Sequence, residues 1–173
     1  MKKRLSWEQY ALTLAYAAST RSEDPYIQVG AAALRHDNST AGTGYNGAPP
    51  GIELDWTDRD KRREYVIHAE RNLCNYIKPG ECKLIATTLL PCSDCLKEIA
   101  IKGVKKVVFS EVYTTDPNVA KKSYETAQKY KIELIHMPAQ DQEKNFPKFP
   151  LPHFSFLSWC AKLMTRMKGI FKL

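Results

Sequence analysis

The sequence predicts an α/β fold in which one sheet is covered by helices on both faces. Short apolar runs alternate along the chain with segments of helical spacing, and this alternation is typical of such folds. The length also fits, because 173 residues with a hydrophobic fraction of 43% are enough for one domain with its own core. We therefore expect one main domain that needs no disulfides to fold.

The first predicted element is a helix from Trp7 to about Ser19. Ser6 and Gln9 fit a capping box, in which each side chain accepts a hydrogen bond from the other residue's backbone. Apolar residues then follow at three- and four-residue steps, which is the spacing of a buried helix face. A buried strand is predicted next over residues 29–34, because this short apolar run is bounded by turn residues.

The glycine-rich region that follows predicts no regular structure. Residues 41–51 include four glycines and two prolines, a density that helices and strands do not tolerate. We expect a shaped loop there, with at most a few strand residues near 43–45. Residues 52–63 are polar and have no clear period, so no element is predicted for them.

The second half of the chain predicts three helices that alternate with three strands. Asp116 and Pro117 are a strong helix start, since aspartate caps a helix and proline fits its first turn. Gly103 suits the residue just after a helix. The predicted helices cover residues 66–77, 92–102 and 117–130, and the predicted strands cover 84–88, 105–110 and 131–136.

Three parts are expected along the chain. Residues 1–138 form the main domain. Residues 139–153 form a proline-rich linker, since three prolines fall between 147 and 152, a composition that favours an extended chain. Residues 154–173 have apolar side chains at helical steps with basic residues between them, and predict an amphipathic tail. Its apolar stripe could pack on the protein's own surface, on a neighbouring subunit or on a membrane.

The charge disfavours a nucleic-acid partner for the main domain. The chain carries a net charge of +7, but residues 141–173 alone hold six basic and two acidic side chains. The main domain is therefore only weakly basic, and it lacks the basic stripe with interleaved aromatic residues that binds single strands. No apolar run reaches the roughly 18 residues of a membrane span, and no signal-peptide core follows the first residues. We expect a cytoplasmic protein without a membrane partner.

A metal site is predicted by two short motifs. The first is His68-Ala69-Glu70, and the second is Pro91-Cys92-Ser93-Asp94-Cys95. One imidazole and two thiolates give three ligands for zinc, which prefers a tetrahedral arrangement. Three ligands leave one position for water, as in catalytic zinc sites. His68, Cys92 and Cys95 are therefore the predicted ligands of one catalytic Zn²⁺ per chain.

Glu70 is the predicted catalytic residue. A carboxylate two residues from a zinc ligand can move protons to and from the reacting groups. The combination H-x-E followed by P-C-x-x-C is the signature of zinc deaminases. The rival interpretation is a non-catalytic zinc module with a basic partner-binding tail. It would require a fourth ligand: Cys74 lies too far along its predicted helix, whereas Cys82, expected in a loop, stays open.

Three segments resemble deoxycytidylate (dCMP) deaminases. Residues 24–31 read D-P-Y-I-Q-V-G-A, residues 44–49 read G-Y-N-G-A-P, and residues 68–72 read H-A-E-R-N. The resemblance covers roughly residues 5–137 and leaves the tail outside. It implies a three-layer α/β/α sandwich, with a central mixed sheet of about five strands.

The resemblance also implies an activity and a substrate contact. The reaction would be hydrolytic deamination of dCMP to dUMP, in which a zinc-bound hydroxide attacks the cytosine ring, Glu70 carries the protons and ammonia leaves. Asn46 would contact the sugar, although an asparagine in this loop could equally be a turn residue with positive φ. The alternatives are cytosine or adenine in single-stranded DNA or RNA as substrate, and dCTP beside dCMP.

Regulation and assembly are implied by the same resemblance. The family is hexameric, activated by dCTP and inhibited by dTTP, and a triphosphate would arrive with Mg²⁺. We therefore expect a homo-oligomer. The candidate effector-binding residues are Gly44, Tyr45, Asn46, Gly47 and Asn72.

Overall fold

A five-stranded mixed sheet forms the centre of the computed structural model, which describes residues 4–113 and 116–138. The predicted linker and tail, residues 139–153 and 154–173, lie outside the described residues. The strands are β1 (Gly30–Arg35), β2 (Thr40–Tyr45), β3 (Cys82–Leu89), β4 (Lys106–Glu111) and β5 (Glu133–His136). The helices are α1 (Trp7–Ser19), α2 (Arg59–Tyr65), α3 (Ala69–Cys74), α4 (Ser93–Ile101) and α5 (Pro117–Lys129).

The strand order is β2-β1-β3-β4-β5. β1 is antiparallel to both β2 and β3, whereas β3, β4 and β5 are parallel. Parallel neighbours need a crossover connection, and α4 and α5 supply the two crossovers. Because the three parallel strands end at the same edge of the sheet, the loops after β3 and β4 meet there, at the edge where α/β folds hold their ligands.

Two apolar clusters, one on each face of the sheet, give the fold its three layers. α1 packs with Leu34, Leu84 and Val108 on one face. α3, α4 and α5 pack with Ala33, Ile85 and their neighbours on the other. Adjacent strand residues point to opposite faces, so a sheet covered on both sides buries continuous apolar runs. The predicted three-layer sandwich with about five strands is confirmed.

Local start and stop signals place the helix ends where the sequence predicts them. Ser6 Oγ accepts from Gln9 N at 3.2 Å while Gln9 Oε1 accepts from Ser6 N at 2.9 Å, which completes the capping box at α1. Asp116 accepts from Asn118 N at 2.9 Å at the start of α5. Gly103 follows α4 with φ of 76°, the left-handed conformation that suits glycine.

Two elements correct the expectation for residues 41–63. β2 begins at Thr40, so residues 41–45 of the expected loop are strand, and Gly44 serves close packing instead of a turn. A Cβ on Gly44 would lie 2.4 Å from Ala69 O in α3. α2, which the sequence did not predict, starts at the cap residue Asp58 and buries only Arg62. A helix with one buried residue has no apolar period to detect.

The third helix is shorter than the predicted span of residues 66–77. Val66 ends α2, and Ile67 pairs with Gly47 in an isolated antiparallel bridge. α3 therefore starts only after His68. Cys82 was expected in a loop, but it is the first residue of β3 and is buried. Within residues 4–113 and 116–138, none of the helices has the length and hydropathy needed to cross a bilayer.

Candidate active site

The predicted metal ligands meet where two helices begin. His68 is the N-cap of α3 and Cys92 is the N-cap of α4, both in extended backbone conformation. His68 Nδ1 lies 3.6 Å from Cys92 Sγ and 3.4 Å from Cys95 Sγ. The ligand atoms of all three residues lie within 4.8 Å of one another. Among the residues that the structure describes, this is the one such group of histidine, cysteine or carboxylate side chains.

This geometry fits a tetrahedral zinc ion. With Zn–S of about 2.3 Å and Zn–N of about 2.0 Å, a sulfur and a nitrogen ligand at the tetrahedral angle are separated by about 3.5 Å. The two measured sulfur–nitrogen distances, 3.4 and 3.6 Å, lie close to that value. Three ligands leave a fourth position for water or substrate. Cys95 is buried, Cys92 is half-buried and His68 keeps solvent exposure.

The electrostatics of the two thiols favour a thiolate at Cys92. A hydrogen bond from the Cys95 side chain lowers the pKa of Cys92 to about 4, and His68 adds to the shift while burial opposes it. The pKa of Cys95 is raised, because its side chain hydrogen-bonds to Cys92 and is itself buried. The same Cys92 contact raises the pKa of His68. A bound dication would favour thiolate in both cysteines and displace the imidazole proton.

Glu70 lies in the first turn of α3 and is 3% exposed. Burial is the largest cause that raises the pKa of its carboxyl, and the charge of His68 and a hydrogen bond with Cys95 oppose it. The side chain is therefore beside the metal group and shielded from bulk water. A carboxyl with a raised pKa can both accept and return a proton near neutral pH.

The glycine-rich loop packs directly against the metal site. Gly47 N donates to Ile67 O at 3.2 Å, and Ile67 N donates to Gly47 O at 3.0 Å, one residue before His68. Asn72 Nδ2 donates to Tyr45 O at 3.0 Å. Together with the close approach of Gly44 to α3, these contacts fix the loop on the helix that carries Glu70. The five candidate effector residues are thus brought together, and this packing accounts for Gly44 and Asn72, whereas a Cβ on Gly47 would meet only Tyr45 Cε2 at 3.9 Å.

Asn46 is buried, and its side chain is hydrogen-bonded to three residues of the segment between α1 and β1. Its Oδ1 accepts from Val29 N and from Ser22 Oγ, both at 2.7 Å. Its Nδ2 donates to Ile27 O at 2.8 Å. The interpretation as a turn residue with positive φ is wrong, because Asn38 and Lys131 are the non-glycine residues with positive φ in the described part of the chain.

Sequence reasoning missed the buried polar residues that face this loop. Asp24 accepts from Tyr26 N at 2.8 Å and from Ile27 N at 3.1 Å, and Arg62 of α2 lies beside it. Asp24 belongs to the segment that carried the resemblance, so its position was a usable signal. Arg62 had no comparable signal in the sequence, since it is one of three arginines in a charged stretch.

Cys74 and Cys82 do not join the converging ligands. Both belong to the apolar cluster between the sheet and α3–α5, and burial raises the pKa of each thiol to about 11. A neutral, buried thiol is a poor metal ligand. The fourth-ligand possibility that the sequence left open for Cys82 is therefore wrong for this structure.

Comparisons with known proteins agree with this site. The model of the cytidine and deoxycytidylate deaminase zinc-binding region matches residues 5–111. Human deoxycytidylate deaminase is 36% identical over 122 residues, which is 62% of this chain and 68% of that protein. The apo crystal structure of dCMP deaminase from cyanophage S-TIM5 aligns with a TM-score of 0.61 at 26% identity, over 78% of this chain and 100% of that one.

A second structure of the phage enzyme, in complex with dCMP and dUMP, aligns with a TM-score of 0.57 at 26% identity, over 75% of this chain and 93% of that one. The family match extends over residues 5–111, more than half of the chain. It includes both zinc-ligand motifs, Glu70 and the glycine-rich loop. The chain belongs to the cytidine and deoxycytidylate deaminase family.

Proposed function

We propose that this protein is a zinc-dependent hydrolase that deaminates dCMP to dUMP and releases ammonia. The observation that carries the proposal is the convergence of His68, Cys92 and Cys95 at two helix starts, with the buried Glu70 beside them. The relatives support the substrate, because three that are each matched over 68% of their length are named deoxycytidylate deaminases. The phage neighbour was crystallised with dCMP and dUMP.

A bound zinc ion would supply a nucleophile at neutral pH, because it lowers the pKa of water to about 7. The chain's own residues do the rest. Glu70 accepts a proton from the attacking water and delivers it to N3 of the cytosine ring, while the oxygen adds to C4. Glu70 then passes the second water proton to the amino group, which leaves as ammonia. The burial of Glu70 keeps its proton from bulk solvent during these steps.

Asn46 is our proposed substrate contact, at the sugar. An amide nitrogen carries two protons, and the bond to Ile27 uses one of them. The three hydrogen bonds that fix the side chain also fix the direction of the second proton. Gly47, the next residue, is hydrogen-bonded to Ile67, which directly precedes His68. The sugar contact would therefore be held at a set distance from the metal.

Regulation and assembly form the second part of the proposal. We propose a homo-oligomer, a hexamer by resemblance, with dCTP as activator, dTTP as inhibitor and Mg²⁺ on the bound triphosphate. The candidate site is the loop of Gly44, Tyr45, Asn46 and Gly47 with Asn72. We also keep residues 1–138 as the catalytic domain, with residues 139–153 and 154–173 as linker and tail. A cytoplasmic location suits the site, because a reducing compartment keeps Cys92 and Cys95 available as ligands.

Ammonia release from dCMP, dCTP, deoxycytidine and a cytosine-containing oligonucleotide, measured side by side, tests the function. We expect dCMP to react fastest. Added dCTP should raise the rate at subsaturating dCMP, and dTTP should lower it. A faster reaction on the oligonucleotide than on dCMP would contradict the proposed substrate and indicate that the enzyme acts on single-stranded nucleic acid. An unchanged rate with both triphosphates would contradict the proposed regulation and leave the proposed deaminase activity untouched.

A further inference from the structure

Arg62 is a buried cation on an otherwise exposed helix. It is the buried residue of α2, and its guanidinium Nη1 lies 3.7 Å from Asp24 Oδ1, which is also buried. The guanidinium also lies over the ring of Tyr26, 4.4 Å from the ring centroid. Burying two charges is costly unless they are paired. A surface helix that buries only an arginine therefore calls for an explanation beyond hydrophobic packing.

The partner of Arg62 organises the irregular segment between α1 and β1. Asp24 Oδ1, the oxygen that faces Arg62, also accepts from the backbone amides of Tyr26 and Ile27. One carboxylate oxygen thus connects α2 to the turn at residues 24–27. Arginine suits both of its contacts, because its planar group pairs with a carboxylate and stacks on an aromatic ring.

The turn at residues 24–27 is in direct contact with Asn46. Ile27 O accepts from Asn46 Nδ2 at 2.8 Å, and Ser22 and Val29 both donate to Asn46 Oδ1 at 2.7 Å. Arg62 therefore reaches the side chain of Asn46 through two steps, Asp24 and Ile27. The second path from Arg62 runs along the chain, because α2 ends at Tyr65 and Ile67 pairs with Gly47.

We propose that Arg62 is a positioning residue for substrate binding. It locks the turn at residues 24–27 through Asp24 and so fixes the orientation of Asn46. This inference rests on the proposed function, since it concerns how the same site holds its nucleotide. Glu70 and Cys92 lie on α3 and α4, which pack on the sheet without α2. The loss of Arg62 should therefore weaken substrate binding more than it slows the chemical step.

Three variants separate positioning from simple stability. Arg62→Met removes the charge but keeps an unbranched apolar side chain. Asp24→Asn keeps an oxygen for the two backbone amides and removes only the charge that faces Arg62. Arg63→Met is the matched control, because Arg63 is the next residue of α2 and is exposed. Each variant is assayed for zinc content, melting temperature, KM and kcat with dCMP, and hydrogen exchange of peptides that cover residues 22–29.

We expect KM of Arg62→Met to rise about tenfold while kcat changes by less than about threefold, which is the pattern of lost substrate binding. Asp24→Asn should show the same rise in KM. The double variant should raise KM little further, because both changes break the same interaction. Hydrogen exchange over residues 22–29 should be faster in both variants. Zinc content should stay at wild-type level, and Arg63→Met should match the wild type in every measurement.

An unchanged KM together with a lower melting temperature would overturn the proposal and leave Arg62 a purely structural residue. A drop in kcat at constant KM would overturn it as well. If Arg62→Met does not fold, Asp24→Asn and Arg62→Lys decide, since lysine keeps the charge but loses the planar stacking. If the wild type does not turn over dCMP, the proposed function fails, while hydrogen exchange still reports whether Arg62 locks the turn.

Discussion

Cysteines lie at both ends of β3, and the two ends give them opposite acidities. After its carboxyl end, Cys92 has its pKa lowered to about 4. At its amino end, Cys82 has its pKa raised to about 11, as does Cys74 of α3. α3 shows the same contrast between its two ends, since Glu70 lies in its first turn beside the metal group and Cys74 is its last residue.

The difference comes from the groups around each thiol. Cys92 is at a helix N-terminus, where backbone amides and the dipole favour an anion, and the Cys95 and His68 side chains lower its pKa further. Cys74 and Cys82 lie in the apolar cluster under α3–α5, where burial raises the pKa of each thiol and the charges of Lys102 and Arg35 offset only part of that effect. Residue type is therefore not enough to identify a ligand, and the position relative to helix starts decides the chemistry.

The largest effect is expected from the loss of a zinc ligand after the carboxyl end of β3. Cys92→Ala and Cys95→Ala each leave two of three ligands, which cannot hold zinc in an open catalytic site. We expect zinc content to fall from one per chain to near zero, and dCMP turnover to fall by about 10³-fold or more because no water is activated. Metal analysis and ammonia release check both results. Full zinc occupancy in both variants would contradict the site.

Glu70→Gln should separate metal binding from proton transfer. Glutamine has almost the same shape but cannot accept and return a proton, so turnover should fall by about 10²-fold or more. Zinc content and melting temperature should stay close to wild type, which excludes a folding defect. A variant with near-normal turnover would show that another group carries the protons.

Alkylation of the zinc-free protein should distinguish the two ends directly. Because its folded pKa is near 4, Cys92 stays a thiolate from pH 6 to 8, and its rate with iodoacetamide should change little over that range. An ordinary cysteine reacts about tenfold faster per pH unit below its pKa. Cys74 and Cys82 should remain unlabelled until the protein is denatured. Peptide mass spectrometry reads all sites in one sample, and a steep pH dependence at Cys92 would contradict its lowered pKa.

The smallest effect is expected from substitution of the two cysteines in the apolar cluster. Cys74→Ala and Cys82→Ala remove a sulfur from the apolar cluster and should lower the free energy of unfolding by about 1 kcal/mol each. Zinc content should be unchanged, and turnover should stay within about twofold of wild type. Denaturant unfolding and metal analysis test this. Loss of zinc in either variant would mean that the two ends of α3 and β3 are coupled.

The sequence by itself determined the sandwich, through the alternation of apolar runs and helical segments along the chain. It also determined the ends of α1 and α5 and the ligand motifs, because each of these is encoded within a few residues. Capping residues act over one turn, and Cys92 and Cys95 are brought together by a single helix start. The resemblance to deoxycytidylate deaminases rested on the same kind of short segment, and the family comparison confirmed it.

Tertiary structure alone determined β2, α2 and the contacts that hold Asn46 and Arg62 in place. β2 looked like a loop because Gly44 serves a neighbouring helix, whose backbone would lie 2.4 Å from a Cβ. α2 had no apolar period, since what it buries is an arginine. The contacts of Asn46 and the pairing of Arg62 with Asp24 join segments about 20 to 40 residues apart in the chain. Such contacts depend on which surfaces meet after the sheet has formed, and no local pattern in the sequence records them.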